Sequence, residues 1–127
     1  MAGLLTIGAG VAFAAHKYST KIVFLGNSGT QSNPNDQTFY GHLNSNSKCV
    51  GAREVGLFKA TSKGGFKLID VDLSSFNGAF ALRAEITGAP NLAIQVAKDK
   101  RNNGKIVCKP ATLSLQPSAK DGSFKVG

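Results

Sequence analysis

This sequence contains no tryptophan, and the residues that most often carry catalysis are scarce in it. Its 127 residues include two histidines, two cysteines and 7 acidic residues. Because His16 lies near the N-terminus, His42 is the histidine available to the body of the chain. Neither a G-x-S-x-G nucleophile elbow nor a glycine-rich phosphate loop opening a helix is present. We therefore expect no catalytic site and interpret His42 as a strand-surface residue; a hydrolase without a sequence signature is the weakest alternative.

Metal-binding motifs are missing as well. Asp70 and Asp72 are spaced to share a cation, but calcium loops collect more oxygen ligands, in a D-x-D-x-D-G pattern that does not occur here. Cys49 and Cys108 are 59 positions apart, which excludes a CxxC redox motif and a zinc knuckle. We expect neither a metal nor a cofactor.

A short apolar segment at the N-terminus predicts export. Residues 4–15 form a run of about a dozen apolar or small residues, below the ~18–20 needed to span a bilayer. The run ends in Ala12-Phe13-Ala14, the pattern of a signal-peptidase site, although no Lys or Arg precedes it. We interpret residues 1–15 as a clipped signal peptide, which leaves a secreted chain with no transmembrane span. The alternative is a short buried strand or helix.

The two cysteines agree with export. In an oxidising compartment Cys49 and Cys108 are most simply a disulfide. Closing a loop of that length would stabilise the fold by about 4 kcal/mol in the chain-entropy model. In the cytosol both would instead be inert core thiols.

The charge of the chain is strongly positive. Fifteen Lys and Arg against 7 Asp and Glu give a formal charge of +8, which attracts anionic partners. Lys greatly outnumbers Arg, whereas nucleic-acid readers use Arg for bidentate contacts. The most suggestive cluster lies on a predicted hairpin at residues 98–109 around Asn103-Gly104, and its members are Lys98, Lys100, Arg101, Lys105 and Lys109. We interpret it as a solvated loop, since no aromatic residues are interleaved. The alternative is an anion contact with salt-sensitive affinity.

Alternating apolar and polar residues indicate short strands. Fifteen glycines and many Ser, Thr and Asn residues supply turn signals every 8–15 residues along the chain. In residues 66–73 we expect Ile69, Val71 and Leu73 to face the core, with Asp70 and Asp72 facing solvent. About seven strands of this kind predict an all-β, two-layer antiparallel β-sandwich, prealbumin-like or Ig-like, with one disulfide. We expect it to occupy residues 16–116, with residues 117–127 a flexible tail or linker.

Several residues, taken in order along the chain, form a pattern that is similar to that of a known family. They are Gly41, Cys49, Arg53-x-Val55-x-Leu57-Phe58, Asp70-x-Asp72, Ser75-x-Asn77-Gly78-x-Phe80 and Gly104-x-x-x-Cys108-Lys109-x-Ala111. Over residues 41–115 this pattern resembles the transthyretin-like (prealbumin-like) and carboxypeptidase-regulatory-like β-sandwich domains of secreted bacterial proteins.

The resemblance implies core positions, a turn and a pairing. By it, Asn77-Gly78 is a tight hairpin and Cys49 pairs with Cys108, while the core residues it implies are Val55, Leu57, Phe80 and Leu82. It also implies a non-catalytic accessory, adhesive or structural module.

Two functions are therefore expected. The first is a secreted, non-catalytic β-sandwich module that binds a protein or cell-surface partner through its loops. The second is a free-standing basic protein that binds anionic polymers through the hairpin at residues 98–109. Fold alone does not decide between them.

Overall fold

A computed structural model describes residues 14–118 and 122–127, and these residues form strands without a helix. The all-β class is confirmed. The strands of the described residues, in chain order, are β1 His16–Tyr18, β2 Lys21–Gly29, β3 Asp36–Asn44, β4 Glu54–Ala60, β5 Phe66–Leu73, β6 Ala79–Glu85, β7 Leu92–Val96, β8 Asp99–Arg101, β9 Ile106–Cys108, β10 Ala111–Pro117 and β11 Phe124–Val126. The structure has more strands than the seven expected. The additional strands, β1, β8, β9 and β11, have three residues each and are too short to show alternation in the sequence. The proposed signal peptide falls on residues 1–15, of which residues 1–13 lie outside the described chain.

The larger sheet has five strands in the order β11-β10-β7-β4-β5, all antiparallel. Its central strands put alternate side chains into the interior, as period-two patterning requires. Leu57 on β4 lies opposite Ile94 on β7, and Val55 lies opposite Val96. All four side chains are almost fully buried, so this face of the sheet forms one side of the core.

The second sheet has three antiparallel strands in the order β2-β3-β6. Phe39 on β3 lies opposite Leu82 on β6, and both are fully buried. The turn before β6 contains the expected reversal at Asn77-Gly78, but it connects strands of different sheets and is not the tight hairpin that the family resemblance implies. Gly78 has a φ of +90°, and a Cβ there would lie 2.6 Å from the carbonyl oxygen of Leu43, so only glycine fits.

The two sheets pack face to face as a β-sandwich with an apolar core. The ring of Phe39 from the three-stranded sheet meets the ring of Phe124 from the five-stranded sheet edge-on, with 5.5 Å between centroids. The core residues implied by the family resemblance are all buried: Val55, Leu57, Phe80 and Leu82. Each such side chain contributes about 1.5–3 kcal/mol of hydrophobic stabilisation.

The C-terminus differs from the expected flexible tail. Residues 124–126 form β11, which pairs with β10, and Phe124 is 9% exposed within the core. The alternation of Phe124, Lys125 and Val126 is too short to predict a strand, so its role is visible only when β10 is beside it.

Polar side chains close both seams between the two sheets. At one seam the carboxylates of Asp72 and Asp70 on β5 accept hydrogen bonds from the backbone N–H groups of Ala81 (2.9 Å) and Arg83 (2.7 Å) on β6. At the other, the side chain of Asn27 on β2 accepts from the N–H of Phe124 at 2.9 Å. Backbone groups at these strand edges are thereby satisfied without a further strand.

The expected orientation of β5 is wrong. Between the pairs Leu57–Asp70 and Phe58–Leu68, β5 contains one extra residue, Ile69, which packs against the core. A bulge of this kind shifts the alternation that follows it. Asp70 and Asp72 consequently point to β6, while Val71 and Leu73 point to solvent.

A small third sheet lies at one end of the sandwich. Its order is β1-β9-β8, with β1 parallel and β8 antiparallel to β9. It carries one cysteine and the basic hairpin, and it is the part of the fold where the expected site residues lie.

Candidate functional site

The disulfide joins the third sheet to the loop that follows β3. Cys49 and Cys108 are bonded, with 5.5 Å between their Cα atoms, and both residues are fully buried. This confirms the expected pairing. The bond attaches β9 to the loop at residues 45–53, so the hairpin that β9 completes has a covalent anchor in the sandwich.

A buried arginine lies beside the disulfide. Arg53 is 0% exposed, and its guanidinium nitrogens bind four oxygen acceptors from separate parts of the chain. These acceptors are the hydroxyl of Thr20 and the carbonyl groups of Cys49, Ala97 and Lys109, at 2.9–3.1 Å. Burial lowers the pKa of Arg53, and the charge of Arg101 lowers it further, but guanidinium stays protonated in proteins. Arg53 therefore ties together the segments that flank the third sheet.

The predicted hairpin is present and has a tight turn. Strands β8 and β9 pair antiparallel, and the chain reverses through Asn102, Asn103 and Gly104. All three have positive φ values, of 53°, 55° and 82°. Asparagine and glycine tolerate this left-handed region better than other residues do, which explains the composition of the turn.

One face of the third sheet carries five lysines. Val107 on β9 lies opposite Lys100 on β8 and opposite Lys17 on β1, so these three side chains form one row on the same face. The hydrogen bonds between β1 and β9 continue one residue beyond each end of β9, because the N–H of His16 donates to the carbonyl of Lys105 and the N–H of Lys109 donates to that of Tyr18, both at 2.9 Å. Alternation then places Lys105 and Lys109 on the face of Val107.

Lys98 lies two residues before Lys100 and shares its face by the same alternation. We call this surface the lysine face, and it consists of Lys17, Lys98, Lys100, Lys105 and Lys109 around Val107. The lysines are exposed, while Val107 is only 9% exposed. Long lysine stems commonly cover an apolar neighbour in this way while the ammonium groups stay in water.

Arg101 is the predicted contact residue that the structure separates from the others. Its side chain points to the opposite face, where Nε donates to the Asp99 carboxylate at 2.7 Å. Its terminal nitrogens donate to the carbonyl groups of Lys48 at 3.0 Å and Gly51 at 2.5 Å. Arg101 thus attaches the hairpin to the loop that carries Cys49, and it also neutralises the one acidic residue of β8.

Lys17 is the member of the lysine face that the sequence does not reveal. It lies about 80 residues before the hairpin and is separated from the apolar N-terminal segment by His16 alone. Only the parallel pairing of β1 with β9 brings it beside Val107. A parallel pair needs a long connection, so no local pattern marks it.

The other candidate residues do not converge. His42 is half-buried on β3, between Val23 and Ala79 in the sheet register. Asp70 and Asp72 are engaged with the β6 backbone. Within residues 14–118 and 122–127, no group of three or more His, Cys, Asp or Glu side chains is placed to hold a metal ion. No helix in that part of the chain has the length and apolar content needed to cross a bilayer.

A hollow of about 360 Å³ opens at the end of the sandwich, between the loop before β3 and the β10–β11 hairpin. The described residues that line it are Pro34, Asn35, Gln37, Ile86, Gly88, Ala89, Pro117, Ser118, Gly122, Ser123 and Phe124. None of these side chains is ionisable, so this part of the lining offers no acid, base or charged anchor.

Comparison with protein-family models, with curated proteins and with solved structures finds no match. The fold and the site define the chain as a disulfide-linked β-sandwich with a lysine-covered small sheet at one end. Its similarity to the transthyretin-like domains stays a prediction from sequence.

Proposed function

We propose that this protein is a non-catalytic binding module that attaches to linear anionic polymers through the lysine face. The observation that carries the proposal is the strand register, which places Lys17 and Lys100 on either side of Val107 in one row. In this proposal the secreted β-sandwich module expected from sequence is the scaffold, and the lysine face is the surface that contacts the polymer.

The spacing of the lysines suits a repeating anion. Neighbouring strands lie about 4.8 Å apart, so the attachment points of Lys17 and Lys100 are about 10 Å apart across the sheet. Along a strand, alternate residues are about 6.7 Å apart, which separates Lys105 from Val107 and Val107 from Lys109. An extended polymer with closely spaced charges meets several of these lysines at once, whereas a small anion meets one or two.

The chemistry favours charge over sequence recognition. Lysine ammonium groups are point charges without the planar fork with which arginine reads bases, and Arg101 faces away from this surface. No aromatic side chain belongs to the lysine face. We therefore expect binding that depends on the charge density of the polymer and falls steeply with salt.

The support beneath the face favours a prearranged site. The third sheet is connected to the sandwich by the Cys49–Cys108 bond, by the four hydrogen bonds of Arg53 and by those of Arg101. Holding the lysines in place before binding reduces the ordering cost of association. We also propose that the protein works outside the cytoplasm, where such a disulfide persists.

The test compares two double variants of equal charge. Lys17→Gln with Lys100→Gln removes two lysines from the face, while Lys63→Gln with Lys125→Gln removes two exposed lysines from the β4–β5 turn and β11. Binding is measured against a single-stranded oligonucleotide, long-chain polyphosphate and heparin across a salt series. For the oligonucleotide we expect the slope of log affinity against log salt to shrink by about 1.4 in the first variant.

At low salt that variant should bind at least about tenfold more weakly than the native protein, because each lost contact removes released counterions. The control variant should change little. Weaker binding of the first variant to all three polymers supports recognition of the charge that they share. Weaker binding to one of them identifies that polymer as the class that the site recognises. Equal effects of the two double variants would show that net charge alone is responsible and would overturn the site.

A further inference from the structure

The outer face of the five-stranded sheet is apolar along β5. Phe66, Leu68, Val71 and Leu73 are 55%, 48%, 45% and 62% exposed. Phe58 on β4 lies opposite Leu68 and is half-buried on the same side. We call these five residues the apolar sheet face. Single exposed apolar residues are ordinary, but a row of them on one sheet surface marks an interaction site.

The bulge at Ile69 creates this face. Without the extra residue, Val71 and Leu73 would alternate with Leu68 and point into the sandwich. With it, all three point outward, and the two aspartates turn to the β6 edge. The same bulge therefore closes the seam and produces the apolar row.

The face lacks positive charge, although the chain carries +8. Alternation identifies the outward residues of β4, β5 and β7, which are Glu54, Gly56, Phe58, Ala60, Phe66, Leu68, Val71, Leu73, Ala93 and Gln95. None of them is Lys or Arg. Two strongly basic copies can therefore meet over these three strands without burying a lysine, whereas Lys125 lies on β11 at the opposite edge of the sheet.

The face has a recess as well as exposed side chains. A hollow of about 100 Å³ lies over Gly56, lined by residues that include Phe58, Leu68 and Val71. Leu73 and Phe66 protrude at the two ends of β5. In a two-fold contact each copy presents the same patch to the other, so the recess of one copy is available to an exposed side chain of its partner.

Pairing by strand addition is not available at the neighbouring seam. The N–H groups of Ala81 and Arg83 already bind Asp72 and Asp70, so a strand inserted there would have to displace both carboxylates. Contact through the sheet surface, with sheets about 10 Å apart, requires no such displacement.

We propose that two copies of this chain associate through their apolar sheet faces to form a two-fold dimer. Because the rest of each copy is positively charged, raising salt screens the repulsion between them and strengthens the dimer. Polyanion binding at the lysine face changes in the opposite direction with salt.

The experiment is sedimentation equilibrium of the full chain over a concentration series at low and high salt. Leu68→Lys places a charge at the centre of the apolar sheet face. Leu25→Lys is the matched control, since Leu25 is 65% exposed on β2 of the other sheet. A second variant, Val71→Thr, keeps a β-branched residue in case the lysine disturbs folding. Melting curves confirm that each variant is folded.

We expect a monomer–dimer equilibrium that tightens with salt, weakens at least about tenfold in Leu68→Lys and is unchanged in Leu25→Lys. A protein that stays monomeric at every concentration overturns the proposal. So does a dimer that Leu68→Lys and Val71→Thr leave intact, one that salt dissociates, or open-ended assemblies, which a two-fold contact does not form. The two proposals fail separately, because Leu68→Lys retains the lysine face and the Lys17 and Lys100 variant retains the apolar sheet face.

Discussion

The guanidinium of Arg53 donates a 2.9 Å hydrogen bond to the carbonyl oxygen of Cys49, the residue that the disulfide joins to Cys108. A second nitrogen of the same group donates to the carbonyl of Lys109, which follows Cys108 in the chain. The covalent link and the buried cation therefore connect the same two segments. This arrangement positions the hairpin that carries most of the lysine face.

Replacing Arg53 should be strongly destabilising. Arg53→Met keeps much of the apolar stem but leaves the carbonyl groups of Cys49, Ala97 and Lys109 without their donors. We expect a loss of about 3 kcal/mol or more in the free energy of unfolding, since each unsatisfied buried group costs about 1–3 kcal/mol. Urea denaturation measures it.

Arg83→Met is the matched control for that change. Arg83 pairs with Asp36 on an exposed surface, where an ion pair adds little to stability because solvent screens it. Similar losses in both variants would contradict the role assigned to Arg53.

Removing the disulfide should weaken the fold without changing its core. The bond closes a loop with a sequence separation of 59, so the double variant Cys49→Ser, Cys108→Ser should lose about 4 kcal/mol. Thermal unfolding of the oxidised protein against the variant measures the difference. Mass analysis of native protein showing both thiols free in a chain that still unfolds cooperatively would contradict this expectation.

The Asp36–Arg83 pair predicts a pH dependence at low pH. The side-chain hydrogen bond from Arg83 holds the pKa of Asp36 below its usual value, and the charge of Arg83 acts in the same direction. Because the pKa is lower in the folded state, the pair stabilises the fold above the unfolded pKa of about 3.9. That contribution disappears as the pH falls through the lower, folded value.

An NMR titration of the Asp36 carboxyl carbon tests the shift directly. In Arg83→Gln the Asp36 pKa should rise towards its usual value, and the low-pH part of the stability profile should flatten. An unchanged midpoint in that variant would rule out Arg83 as the cause.

Much of the sandwich follows from local pattern. Phe80 and Leu82 lie at alternate positions of β6 and are buried as expected, and Asn77-Gly78 forms a reversal of the chain. These predictions are correct because side chains along a strand point to its two faces in strict alternation and because few residues adopt positive φ. Neither depends on which strand lies beside it.

The lysine face was only partly foreseeable. Lys98, Lys100, Lys105 and Lys109 lie together in sequence, and the hairpin keeps them together in space. Arg101 belongs to the same cluster in sequence, but it directly follows Lys100 in β8, so its side chain points to the opposite face of the sheet. Lys17 joins from far along the chain because of one parallel pairing.

Patterning of apolar residues, turn composition and the cysteine pair thus determined the all-β class, the main core positions and the disulfide. The tertiary structure alone decided the direction of Asp70 and Asp72, the role of Phe124 and the partners of Arg53. These depend on an extra residue in β5 and on contacts between segments distant in sequence. A bulge reverses every side chain that follows it, and its position is visible only in the register with the neighbouring strand.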